Sequence, residues 1–245
     1  MKKADYREIF NYFLELYPEP KTELKYNTPY QLLVAVMLSA QATDKQVNKI
    51  TQHFFKHVKE PKNAIKLGQN KIEEEIKSIN YFRAKAKHIY IMSKQLLDLT
   101  KEIRNLSEKE IRNLSEKEQT IYNKYGYYIP EQREQLVKLA GVGEKTAKVI
   151  EATLFNKPVV AVDTHVQRVA NRLGMVQTEN PTETSKLIDK KIPKEYRTDA
   201  NHIMVLFGRY HCKAQRPLCE TCKLQHLCKY YKEKQLEKTN KNNKK

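Results

Sequence analysis

No cysteine lies outside residues 212–228 of this 245-residue chain. Nothing is left to staple the rest of the fold, which excludes a disulfide framework and points to a metal or cluster site in a reducing compartment. Long apolar runs are missing too. The longest, Leu32–Leu38, is far too short to span a bilayer, and the opening MKKADYREIF has no apolar core of signal-peptide length. The expectation is a cytoplasmic protein with no membrane partner. Strand signals of the hairpin type are nearly absent, and one isolated stretch, Pro158–Val162 (PVVAV), is all that could pass for a short buried strand. The predicted fold class is all-α.

Acidic side chains are also scarce: 29 Asp and Glu against 46 Lys and Arg, a net charge of +17. Such an excess favours a polyanionic partner, because neutralising phosphates releases condensed counterions; a solvated lysine-rich surface explains it equally well. Its position helps. Residues 101–122 balance five basic against five acidic side chains, whereas residues 209–230 hold five against one and the tail 231–245 six against two.

What is present is helical punctuation. Thr28-Pro29 reads as a cap and first-turn proline for a helix through Leu38, and Thr43-Asp44 opens another to about Lys56. Asn70 caps a short helix, and Arg83–Leu99 carries apolar residues at helical spacing. Further helices are expected after Pro130, over Glu144–Leu154, after Thr164, after Pro181 and around Arg197–Tyr210. The octet IRNLSEKE occurs twice in succession, at Ile103–Glu110 and Ile111–Glu118. Each copy holds a Ser-x-x-Glu capping box, Ser107/Glu110 and Ser115/Glu118. A tolerated duplication in a surface connection is favoured over an accessory docking helix, since long surface insertions cost little.

The chemistry sits in a few short stretches. The cysteines are spaced C-x6-C-x2-C-x5-C, as Cys212, Cys219, Cys222 and Cys228. Structural zinc prefers two C-x2-C pairs and only one exists here, so an iron–sulfur cubane is favoured and zinc stays open. Arg209, Lys213, Arg216 and Lys223 interleave with the cysteines, to face phosphates or simply to be solvated. In Leu139–Ala147 (LAGVGEKTA), Gly141 and Gly143 permit a tight turn with positive φ around Val142. The exposed N–H groups and the positive end of the next helix make a phosphate site; an ordinary helical hairpin is the plain alternative. Lys145 falls in that helix's first turn, where the dipole opposes a cation and eases deprotonation to a nucleophilic amine. Eighteen residues on, Asp163 in Val162-Asp163-Thr164-His165 is either a carboxylate serving a reaction or a helix cap. Gln41, between two helices, either fills a gap beside a partner or caps its own loop.

Taken in order, LLVAVMLSAQATD, LAGVGEKTA, AVDTHVQRVANRLG and FGRYHCKAQRPLCETC with Cys228 resemble the endonuclease III family from about residue 4 to 230, the octet insertion aside. The resemblance implies a two-lobed helix–hairpin–helix glycosylase fold. A six-helix domain would cover 22–157, with the insertion at about 101–122. Residues 1–21 and 158–230 would form a domain holding a [4Fe–4S] cluster on Cys212, Cys219, Cys222 and Cys228, and 231–245 would be a basic disordered tail. It further implies a monomer that flips damaged bases out of double-stranded DNA, with oxidised or ring-saturated pyrimidines and abasic sites as substrates. Lys145 would be the nucleophile, Asp163 the essential carboxylate, and Gln41, Tyr81, Gly141, Val142, Gly143, His165, Lys213 and Arg216 the DNA-binding residues.

Some positions depart from the family pattern. Ala140 replaces a common hairpin proline, Glu144 stands where a basic residue is frequent, and Tyr81 replaces a leucine wedge. The tyrosine is a trait of the adenine-glycosylase branch, but that branch generally lacks the Lys145 amine and has a glutamate near Ala35. A monofunctional glycosylase and a non-catalytic damage-binding module are the alternatives; strand cutting separates them.

Overall fold

The computed structural model describes residues 2–242. By its internal contacts the chain forms two units: Thr22–Phe155, and the segment through Lys21 together with the chain from Asn156 onward. In chain order the α-helices are α1 Lys3–Leu16, α2 Pro29–Leu38, α3 Asp44–His57, α4 Pro61–Leu67, α5 Gln69–Ile76, α6 Phe82–Arg104, α7 Glu108–Ile111, α8 Glu116–Tyr125, α9 Arg133–Leu136, α10 Glu144–Leu154, α11 Thr164–Leu173, α12 Pro181–Lys191, α13 Arg197–Leu206 and α14 Lys229–Asn242. No strand occurs among the described residues.

In the unit Thr22–Phe155 the centre is α2. Thr28 Oγ1 accepts from Gln31 N–H at 3.1 Å, Pro29 fills the first turn, and every residue of the helix is buried. A helix apolar on all sides has to lie inside a core, and this one packs with α3, α6 and α10. Its one amide is fully used: Gln31 Nε2 donates to Phe55 and Val58 carbonyls at 3.1 Å, and Oε1 accepts from Asn27 N–H at 2.8 Å. Helix α4 has no counterpart in the sequence reading, because seven residues are too few to show a period. Gly68, at φ +81°, separates α4 from α5, so the cap falls there rather than at Asn70.

The two octets fold differently. Each serine caps a helix, Ser107 for α7 and Ser115 for α8, with both capping boxes closed. Glu110 is exposed, whereas Glu118 is buried and accepts from Tyr128 O–H at 2.6 Å and Glu131 N–H at 2.9 Å. Removing either copy gives the same chain, in which one Ser-x-x-Glu caps α8 and supplies the buried carboxylate. Only the single turn α7 disappears. Deletion of Ile111–Glu118 is therefore expected to leave strand-cutting activity within about twofold and the thermal midpoint nearly unchanged; a large loss in either measurement would give the insertion a role.

In the other unit, Phe10, Phe13, Val166, Val169, Ile203 and Phe207 lead the core. Pro158–Val162 forms no strand; it opens on a tight turn in which Val159 N–H donates to Lys157 O at 2.8 Å. Val160 N–H donates to Asp189 Oδ1 and Ala161 N–H to Asn201 Oδ1, both at 2.9 Å, so side chains take the place of a neighbouring strand. The expected disordered tail is a correction: residues 231–242 continue helix α14, and 243–245 lie outside the described residues. Lys, Glu, Gln and Leu favour helix, and Tyr230 anchors its first turn beneath the Arg172 guanidinium, 4.3 Å from the ring centre.

Candidate nucleic-acid interface and cysteine centre

The hairpin between α9 and α10 turns on one glycine, not two. Gly141 has φ +78°, and a Cβ there would lie 2.9 Å from His88 Cβ on α6 and 3.0 Å from Met37 Sδ on α2. Gly143 is extended, at φ −92° and ψ 176°, and a Cβ would meet nothing within 4 Å. It caps α10, and a cap residue takes the β region, so the expected positive φ is absent at Gly143. Val142 is buried and its N–H donates to Leu139 O at 3.0 Å, which commits it to bracing the turn. The donors left for an anion are the N–H groups of the first turn of α10, which have no intrahelical acceptor. Lys145 is exposed in that turn, next to exposed Glu144.

Where the resemblance led to the expectation of a proline, Ala140 carries an N–H, and Gln95 on α6 takes it: Oε1 accepts from Ala140 N–H at 2.7 Å while Nε2 donates to Lys138 O at 3.0 Å. The hairpin is thus fastened to α6 by a side chain instead of being stiffened by a ring. Gly141→Ala is expected to lower stability by about 2–4 kcal/mol, combining a left-handed backbone with overpacking, and to abolish duplex binding. Gly143→Ala should melt at the wild-type temperature yet bind duplex more weakly, because its methyl stands only where an anion approaches. Chemical denaturation and salt-dependent binding of both variants check this; equal melting of the two would refute it.

Gln41 and Tyr81 belong to the same unit and both are exposed, Tyr81 by 67%. Both are left-handed, at φ 55° and 60°. Asn80 Nδ2 donates to Gln41 O at 2.9 Å, so the two loops are joined. Lys85, only 6% exposed, donates to Leu38 O and Ala40 O at 2.8 and 2.6 Å. Burial pulls its ammonium below the usual lysine range. Nothing in the sequence marks this lysine among the chain's 46 basic residues.

In the other unit Asp163 caps α11. Its Oδ1 accepts from His165 N–H at 2.8 Å and Val166 N–H at 2.9 Å, which realises the capping alternative and leaves Oδ2 outside both bonds. His165 is half-buried against Gly208, with Nδ1 3.1 Å from Arg168 Nη2; burial first, then the Arg168 and Arg209 charges, lowers its pKa. Two arginines of α11, unmarked in the sequence, fasten the cysteine loop. Arg168 donates to Gly208 O at 2.6 Å and Cys212 O at 3.1 Å, and Arg172 to Lys213 O at 2.7 Å and Ala214 O at 3.0 Å. Lys213 is partly exposed; Arg216 is exposed and left-handed, at φ 47°.

A five-residue π-helical turn, Phe207–His211, delivers the chain to Cys212. All four cysteines then line one apolar pocket with Leu173, Phe207 and Leu218. Burial, followed by the neighbouring sulfurs, raises the Cys222 thiol to about 11; burial is also the main cause that raises Cys219 and Cys228. Among the described residues, no three His, Cys, Asp or Glu side chains converge closely enough to hold a single metal ion. No described helix is long and apolar enough to cross a membrane.

Fold and hairpin define a class before any particular enzyme: the model of the HhH-GPD superfamily of base excision DNA repair proteins matches residues 34–194. Endonuclease III of Haemophilus influenzae is 39% identical over 230 residues, covering 94% of this chain and 97% of that protein. Endonuclease III of Bacillus subtilis is 38% identical over 216 residues, covering 88% and 87%. A non-covalent endonuclease III–DNA complex matches at a TM-score of 0.79 and 37% identity, over 96% of this chain and 99% of that one. A trapped endonuclease III–DNA covalent intermediate matches at 0.78 and 36%, with the same coverage. The chain belongs to the endonuclease III family, DNA glycosylases and abasic-site lyases of base-excision repair.

Proposed function

We propose that the chain removes oxidised or ring-saturated pyrimidines from double-stranded DNA and cuts the resulting abasic site, with Lys145 as nucleophile and Asp163 as the essential carboxylate. The observation that carries this reading is Lys145 itself, exposed on the first turn of α10 directly behind a turn fixed by Gly141. An amine there approaches a sugar while the adjoining N–H groups hold a phosphate. With the damaged nucleotide flipped out, the Nζ lone pair attacks C1′, the N-glycosidic bond breaks, and the base leaves with that bond's electrons and a proton. Opening of the sugar gives a protonated Schiff base. Loss of a C2′ proton then expels the 3′ phosphate. Asp163 assists the amine and steadies positive charge at the sugar.

Gln41 and Tyr81 occupy the space the base vacates. Gly141 and Gly143 shape the phosphate grip that Val142 braces, and His165, Lys213 and Arg216 meet the backbone. Cys212, Cys219, Cys222 and Cys228 hold a [4Fe–4S] cluster. Four thiols that line one apolar pocket supply the donor set a cubane cluster takes. In holding it, these four cysteines would tie residues 212–228 together. The enzyme works as a cytoplasmic monomer, associated with the nucleoid if its source is bacterial.

The test is borohydride trapping on duplexes bearing one thymine glycol, one abasic site, or adenine opposite oxidised guanine. Covalent bands with the first two, and none with undamaged duplex, support the reading. A band with the abasic duplex alone moves the lesion elsewhere. Base release from the third duplex without any band means a monofunctional adenine glycosylase.

A further inference from the structure

We infer that Asn80 and Lys85 are positioning residues that lock Gln41 and Tyr81 into one rigid two-pronged wedge. The inference rests on the reading that these two side chains fill the vacated space in the duplex. Gln41 and Tyr81 are two of the four described non-glycine residues with positive φ, a region that L side chains rarely enter unless the surroundings impose it. Here the surroundings are visible. Lys85 Nζ takes the carbonyls of Leu38 and Ala40, and Asn80 Nδ2 takes that of Gln41. Lys85 N–H in turn donates to Tyr81 O at 3.0 Å, which fixes the backbone of the second prong. None of these bonds uses a Gln41 or Tyr81 side chain, so both prongs stay available.

A simple need to end α2 does not explain Lys85. A left-handed glycine cap would satisfy the last carbonyls without burying an ammonium. The lysine reaches past the helix end, to the residue directly before Gln41, and its charge suits the negative end of α2. Asn80 then reaches Gln41 itself. Segment 80–85 thereby holds segment 38–41 at three of its four residues. A wedge ordered in advance loses no conformational freedom on entering the duplex.

The experiment compares one lesion in a fully paired duplex with the same lesion flanked by mismatches that open the helix. Asn80→Ala, Lys85→Met and Lys85→Arg are measured as full-length proteins, with the Gln41→Ala/Tyr81→Ala double variant as reference. Asn80→Ala and Lys85→Met are expected to lower kcat on the paired duplex about ten- to a hundredfold with little change in KM. Both should cut the opened duplex within about threefold of wild type, and Lys85→Arg should recover part of the loss. Equal losses on both substrates, or no loss on either, overturn the inference. Asn80 is exposed, so its variant carries the test even if Lys85→Met fails to fold. If the double variant itself shows no selective loss on paired DNA, the wedge reading falls and the inference with it. If the double variant shows that loss and the Asn80 and Lys85 variants do not, only the inference falls.

Discussion

Lys145→Ala is expected to leave no covalent band after borohydride treatment and no strand cleavage on thymine-glycol or abasic duplexes, at least a thousandfold below wild type by order of magnitude. Its fold should be unaffected. The side chain is exposed, alanine is the stronger helix former, and removing a cation from the positive end of α10 relieves an unfavourable dipole contact. Binding should persist. One lost phosphate contact lowers the slope of log affinity against log salt by about one, without changing the preference for damaged DNA. The next lysine on the helix, Lys148, is only 7% exposed and is a poor substitute. Cutting by the variant at even a tenth of the normal rate would move the nucleophile to another amine.

The parts of this site that were legible in the sequence are those with local causes. Thr28-Pro29 and Thr43 specify helix starts by capping chemistry acting within three residues, and both helices begin there. The serines of both octets do the same. Cysteine spacing is likewise local, and it brings all four thiols to one pocket. What was illegible depends on partners distant in the chain. Glycine's permissiveness at Gly141 and Gly143 looks identical in sequence, yet α2 and α6 press on one and leave the other open. Ala140 reads only as a missing hairpin proline until Gln95, 45 residues upstream, is found gripping its N–H. Lys85 is one lysine among many until α2 ends against it. The last helix was misread because a basic, polar composition resembles a solvated tail. Its anchor, Arg172 on Tyr230, lies in a different element.

Asp163 carries two readings that one substitution separates. As a cap, it needs only an acceptor: Oδ1 serves both His165 and Val166 N–H groups, and an asparagine oxygen does this equally well. As the reaction's carboxylate it needs charge, which asparagine lacks. Asp163→Asn is therefore expected to keep the wild-type thermal midpoint while base release falls by about 10²–10⁴. Asp163→Ala should suffer the same kinetic loss and, in addition, lose about 1 kcal/mol of stability with the cap. An abasic site offers a further division, since its aldehyde reacts with Lys145 with no base to expel. Trapping by Asp163→Asn on an abasic duplex should accordingly decline less than on a thymine-glycol duplex. Full base release by Asp163→Asn would reduce the residue to its cap. A midpoint that drops as far in Asp163→Asn as in Asp163→Ala would instead mean that the charge is structural, holding the start of α11 beside Arg168 and Arg209.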